Sequence, residues 1–182
     1  MGFIISEYIQ LLIMDRIWDL LSLTVFAIIL APVFLFLVTG EIHHLLILIG
    51  LLATDVVTRT IKYLTRNIKT LPYVFRRPSD ASNCDIINKG GSCGGMPGMP
   101  SGHVATAAFF FTSEYQFVPK NMRISYVSIA TCVVIAIGLS RYTKRCHSIP
   151  QIVCGAILGI GLGLLFRAIF LHFKRKISKN AR

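Results

Sequence analysis

The chain has 182 residues, 54% of them hydrophobic, and a mean hydropathy of +0.66, which excludes an ordinary soluble domain. Its net charge of +11 invites a nucleic-acid partner, but the placement of the charge argues against one. Five of the nineteen basic residues (Lys174, Arg175, Lys176, Lys179, Arg182) form a tail after the last apolar run, and most others lie near segments rich in histidine, serine and glycine.

Met1 to Asp19 reads as a short helix lying on or dipping into a membrane. It has no basic leading segment and no small-residue cleavage site after its apolar run, so a cleavable signal peptide is not expected. Leu20 to Val38 follows, nineteen residues without a formal charge, with Trp18 as an interfacial anchor at its start. Further runs at Ile42 to about Leu64, Val104 to Val118, Ile124 to Leu139 and Ile152 to Leu171 approach the roughly 20 residues that cross about 30 Å of hydrocarbon. The expected fold is all-α: a transmembrane bundle of about five spans plus the N-terminal partial helix, in one domain over residues 1–182.

The second span carries a polar stripe. Asp55, Arg59, Lys62, Arg66 and Lys69 are 4, 3, 4 and 3 residues apart, which places them on one helical face. Charges within a span are costly unless they meet protein, water or a partner. One carboxylate cannot neutralise four cations, so the stripe reads as the wall of an anion-binding cavity in preference to an ion-pair ladder. Between spans two and three, residues 76–102 are too rich in Gly, Pro, Ser and Asn for a long regular element and read as a functional loop. With five spans, this loop and the RYTKRCHSIP segment between spans four and five emerge on the same face. The basic tail, residues 172–182, emerges on the other and is expected in the cytoplasm.

Three clusters on that shared face carry chemistry: Lys69 with Arg76, Arg77 and Pro78; Pro100-Ser101-Gly102-His103; and Ser140-Arg141, five residues, His147. Lysine and forked arginine donors suit a phosphate's charge. Ser101 adds a hydroxyl, Gly102 lets backbone approach, and the start of span three offers N–H groups to an anion. Two histidines allow one to attack phosphorus while the other protonates the leaving oxygen. No carboxylate cage for magnesium accompanies them, so neither metal nor cofactor is expected.

Together the three ordered clusters resemble the type-2 phosphatidic acid phosphatase superfamily, whose pattern is Lys…Arg-Pro, Pro-Ser-Gly-His, and Ser-Arg-x5-His-x3-Asp. The resemblance covers roughly residues 55–165. It implies His147 as nucleophile and His103 as general acid, with Lys69, Arg77, Ser101, Gly102 and Arg141 gripping the phosphoryl group. The substrate implied is a lipid phosphate monoester or diphosphate in the bilayer, hydrolysed through phosphohistidine. Two departures stand out. Seven residues separate Lys69 from Arg77-Pro78 where the family usually has six, which leaves Lys62 open as the motif lysine and Arg76 as a helper of Arg77. Gln151 occupies the place of the family's aspartate four residues after His147. A glutamine oxygen can orient the ring but supplies no charge, and its amide can turn the wrong way round. A catalytically silent lipid-phosphate-binding protein is therefore the alternative to a slow phosphatase.

Other residues read as structural. His43 and His44 sit at an interfacial turn, His172 joins the basic tail, and Gly155, Gly159 and Gly163 have the spacing of close helix packing. Cys132 and Cys154 read as buried packing residues. Cys84 and Cys93 could close a small disulfide ring, which would put the active face in an oxidising, non-cytoplasmic compartment.

Overall fold

A computed structural model of the chain describes residues 2–82, 84 and 91–180. Its elements are α-helical: α1 (Gly2–Thr39), α2 (His43–Thr65), the single-turn α3 (Pro72–Phe75), α4 (Gly102–Glu114), α5 (Arg123–Thr143) and α6 (Ile149–Asn180). Among the described residues, four stretches are long and apolar enough to cross a membrane: Arg16–Thr39, His43–Thr65, Lys120–Thr143 and Ile149–Lys176. Large apolar side chains such as Leu30, Phe34, Ile49, Val56, Ile129 and Ile157 are exposed along them, as bilayer-facing helices require.

Two expectations change. The N-terminal stretch is not a separate helix; α1 is continuous for 38 residues. Residues 3–31 contain neither Gly nor Pro, so nothing in the sequence breaks the turn between the two expected pieces. The third expected span, Val104 to Val118, is the 13-residue α4 followed by a 3-10 turn over Tyr115–Phe117. At 1.5 Å per residue α4 is about 20 Å long, short of the hydrocarbon thickness.

α4 is short because it is the centre of the bundle and not part of its wall. Val104 to Phe110 are all buried, and α4 touches each of α1, α2, α5 and α6. The main core gathers Val104, Ala107, Phe109 and Phe110 of α4 with Ile47 and Leu51 of α2, Val25 and Ile28 of α1, and Ile137 of α5. Against α6 the backbones nearly touch: a Cβ at Gly159 would lie 2.3 Å from the Ala105 carbonyl oxygen, and one at Gly155 2.6 Å from that of Ser101. The spacing of those glycines is thus the groove that admits α4.

Among the described residues from Arg76 to Ser101, two limbs of a loop pair briefly, Arg76 with Pro97 and Ser82 with Ser92; positions 83 and 85–90 of the expected loop lie outside the described residues. Gly94 lies where the limbs cross, since a Cβ there would meet the Ser79 carbonyl oxygen at 2.0 Å. A disulfide fastens this loop to the α5–α6 connection, and it joins Cys84 to Cys146, with Cα atoms 5.3 Å apart. Cys93 is a buried free cysteine beside them, so the expected Cys84–Cys93 ring is corrected. The shorter sequence separation favoured that ring; the fold instead brings the α5–α6 connection against the loop. Cys132, expected to be buried, is exposed on α5, and Cys154 is half-buried.

Candidate active site

The C-terminal end of α2, the N-terminal end of α4, the C-terminal end of α5 and the N-terminal end of α6 meet with the loop at one end of the bundle. From α2 comes Lys62, whose Nζ lies 3.9 Å from the position a Gly102 Cβ would take. From the start of α4 come Ser101, wholly buried, then Gly102 and His103. The loop supplies Arg77, α5 the buried Arg141, and the α6 entrance His147 and Gln151, both buried. Ser101 Oγ and His103 Nε2 are buried with no hydrogen-bond partner among the described residues, so each has a bond to offer a bound group.

A cavity of about 590 Å³ opens here. Lys62, Arg77, Gly102 and His103 line its charged part, with Asp55, Arg59 and the hydroxyl residues Thr58 and Thr106. Val25, Phe26 and Ile29 of α1 and Leu51 and Leu52 of α2 line its apolar part. One cavity therefore joins a cationic end to a wall suited to hydrocarbon.

Lys69 does not share this site. α2 ends at Thr65, so the five-residue stripe is on one helix only as far as Lys62, and Lys69 lies exposed in the connection to α3. Arg59 pairs with Asp55 at 2.7 Å, and the Arg66 guanidinium sits 3.9 Å over the Tyr63 ring. Arg76 also turns away: its guanidinium donates to the carbonyls of Gly95 and Arg66 and so holds the loop. Arg77 alone of that pair lines the cavity.

His147 is held tightly. Its Nδ1 lies 2.9 Å from Gln151 Oε1, and its backbone N–H donates to the Arg141 carbonyl at 3.2 Å. Gln151 is itself fixed: its amide nitrogen donates to the Arg76 carbonyl at 2.7 Å, and Oε1 also accepts the Ser148 N–H at 3.3 Å. Turning the amide over would set oxygen against oxygen at Arg76 and N–H against N–H at Ser148. Oε1 is thus committed to accept from Nδ1–H, which leaves the lone pair on His147 Nε2. Gly98 leaves room for this side chain, since a Cβ there would come within 2.5 Å of Oε1.

Burial and the positive surroundings keep both histidines neutral. Burial is the larger cause for His103, followed by Arg141, Lys62 and Arg77, and together they push it down to about 3. Burial also lowers His147 well below the ordinary value, with Lys62 and Arg77 adding to the effect. The Gln151 hydrogen bond pulls His147 the other way. Arg141, meanwhile, donates to the Cys84 carbonyl at 2.9 Å, so the disulfide loop braces a cation of the site.

The sequence profile of the PAP2 superfamily matches residues 43–175. The chain belongs to the PAP2 superfamily. A crystal structure described as the first transmembrane PAP2 type phosphatidylglycerolphosphate phosphatase, from Bacillus subtilis, superposes with a TM-score of 0.61 at 20% identity. The overlap covers 91% of this chain and 76% of that one, and at such identity the likeness is one of fold. A comparison with curated proteins gives no match. This PAP2 protein is accordingly an all-α integral membrane protein whose family motifs converge at one end of its bundle. Sequence spacing missed the Cys84–Cys146 bond and the hydroxyls of Thr58 and Thr106 beside His103; the one signal for the threonines is their helical register with Lys62 and His103.

Proposed function

We propose that this PAP2 protein hydrolyses a lipid phosphate through a phosphohistidine at His147. The observation that carries the reading is the His147–Gln151 pair, set among Lys62, Arg77 and Arg141, beside a cavity whose other wall is apolar. His147 Nε2 attacks phosphorus as the bond to the lipid oxygen breaks, and His103 gives that oxygen a proton. Water then attacks the phosphohistidine, with His103 now taking the proton, and inorganic phosphate leaves. Lys62, Arg77, Ser101, Gly102 and Arg141 hold the equatorial oxygens.

His103 must be protonated for the first step, although burial, and after it the surrounding cations, keep it neutral without a bound anion. A phosphate brings the compensating charge. A unit charge at about 4 Å in a partly screened site is worth roughly 4 kcal/mol, on the order of three pK units, enough to return His103 to the mildly acidic range. The cations that depress the acid are therefore the ones the substrate neutralises.

The disulfide supports an active face in an oxidising, non-cytoplasmic compartment, with the basic tail opposite. A second reading, a lipid-phosphate binder without turnover, draws on Gln151, which adds no negative charge behind His147. The deciding experiment is phosphate release from a panel of lipid mono- and diphosphates by detergent-purified protein without added metal. Release that falls at least ~10³-fold in His147→Ala is expected, with acid-labile phosphate trapped on the wild-type chain. Release that persists in His147→Ala would sink the mechanism. Phosphate-competitive lipid binding with no release would establish the binder.

A further inference from the structure

The opposite end of α4 gathers a second pair of histidines. His43 and His44 open α2, and Glu114 is the last residue of α4. One ring nitrogen from each histidine and one Glu114 oxygen lie within 4.8 Å of one another. His44 is 7% and Glu114 8% exposed, and His44 Nδ1 is 3.1 Å from Glu114 Oε1. The His43 ring stacks on Phe117 with centroids 3.7 Å apart and lies 4.0 Å from the His44 ring. Its Nε2 is buried with no hydrogen-bond partner among the described residues, and the Glu41 carboxylate sits 3.7 Å from its Nδ1.

We infer that His43, His44 and Glu114 form a cation site that takes zinc, distinct from the phosphate site and independent of the function proposed above. Two imidazoles and a carboxylate are the donor types zinc prefers, whereas magnesium and calcium favour all-oxygen shells. A pairing of Glu114 with His44 alone would satisfy the carboxylate but would leave His43 Nε2 unexplained. Zinc bonds of about 2.0–2.2 Å put tetrahedral ligands about 3.4 Å apart. The three donors need draw in by only about an ångström, within the reach of side-chain rotation. Glu41 is placed either to complete the shell or to take the outer N–H of His43, the arrangement that fixes a ligating histidine's tautomer. A bound ion would fasten the start of α2 to the end of α4, about 20 Å along α4 from His103.

The test is metal analysis of the full chain purified in detergent without chelator. About one zinc per chain is expected, retained in His103→Ala and His147→Ala. Chelator-stripped wild type should gain thermal stability on titration with Zn²⁺ but not Mg²⁺. Glu114→Gln, which keeps the side chain's volume, and His43→Ala should each bind Zn²⁺ at least ~10-fold more weakly. Should either variant fail to fold, the titration of stripped wild type decides alone. No zinc binding by wild type at micromolar free Zn²⁺, or zinc lost with His147→Ala and kept in His43→Ala, overturns the assignment.

Discussion

The two ends of α4 each bury a pair of histidines, yet their surroundings carry opposite charge. At the N-terminal end His103 and His147 face Lys62, Arg77 and Arg141, and glutamine stands where a carboxylate would have offset them. At the C-terminal end His43 and His44 face Glu114 and Glu41. Imidazole is ambivalent, a ligand for cations when neutral and a nucleophile or acid toward phosphate, and the neighbours decide which use is open to it. Cations around one pair prepare it for an anion. Carboxylates around the other prepare it for a metal. The same residue type, gathered at the two ends of one short helix, is thus directed to two chemistries by the charges around each pair.

Removing a cation from the first end is the strongest way to break this contrast, short of removing the nucleophile. Lys62→Ala should lower kcat/KM for a lipid phosphate about 10–10²-fold, the worth of one charged hydrogen bond. Lys69→Ala should change it less than about twofold, because Lys69 lies outside the cavity. Equal losses in the two variants would return Lys69 to the site.

A smaller effect concerns acid. His103 is held at about 3 in the fold, whereas an unfolded histidine titrates near 6.5. Between those values the unfolded chain binds more protons, so stability is present above about pH 6.5 and is lost as pH falls toward 3. The thermal midpoint should therefore drop from pH 7.5 to pH 4.5, and drop less in His103→Asn, which takes up no proton there. Identical drops would show that His103 is not the group held neutral.

The subtlest test gives the first end the carboxylate that the second already has. Gln151→Asp should leave turnover between unchanged and about tenfold faster. It adds negative charge behind His147 but loses the donor to the Arg76 carbonyl, and the two changes oppose each other. A loss of more than tenfold would show that pinning the loop matters more than the charge.

Much of this was readable without coordinates, and the gaps have physical reasons. Apolar run length marks the membrane helices and residue identity the family motifs, because both are local in sequence. Counting residues back from Arg77-Pro78 favours Lys69 over Lys62, but α2 stops at Thr65, where a bend with Leu71 at positive φ leads into α3 and carries Lys69 off the helix. An apolar run of fifteen residues, Val104 to Val118, looked like a span because hydropathy does not distinguish lipid from protein as the surrounding solvent. Nothing local in the sequence marks Cys146 as the partner of Cys84, because the pairing closes 62 residues of chain and depends on how α4 and α5 pack. His43 and His44 looked interfacial because their companion Glu114 arrives only when α4 runs antiparallel to α2.

The burial of α4 has a consequence for the lipid environment. Hydrophobic mismatch acts on helices that touch lipid, which answer a thinner or thicker bilayer by tilting. α4 is screened by all four outer helices, so it carries little of that strain. The separation between its two histidine sites is then a property of the protein alone. The outer helices can adapt to the sterol or acyl-chain content of the host membrane while the central post keeps its gauge.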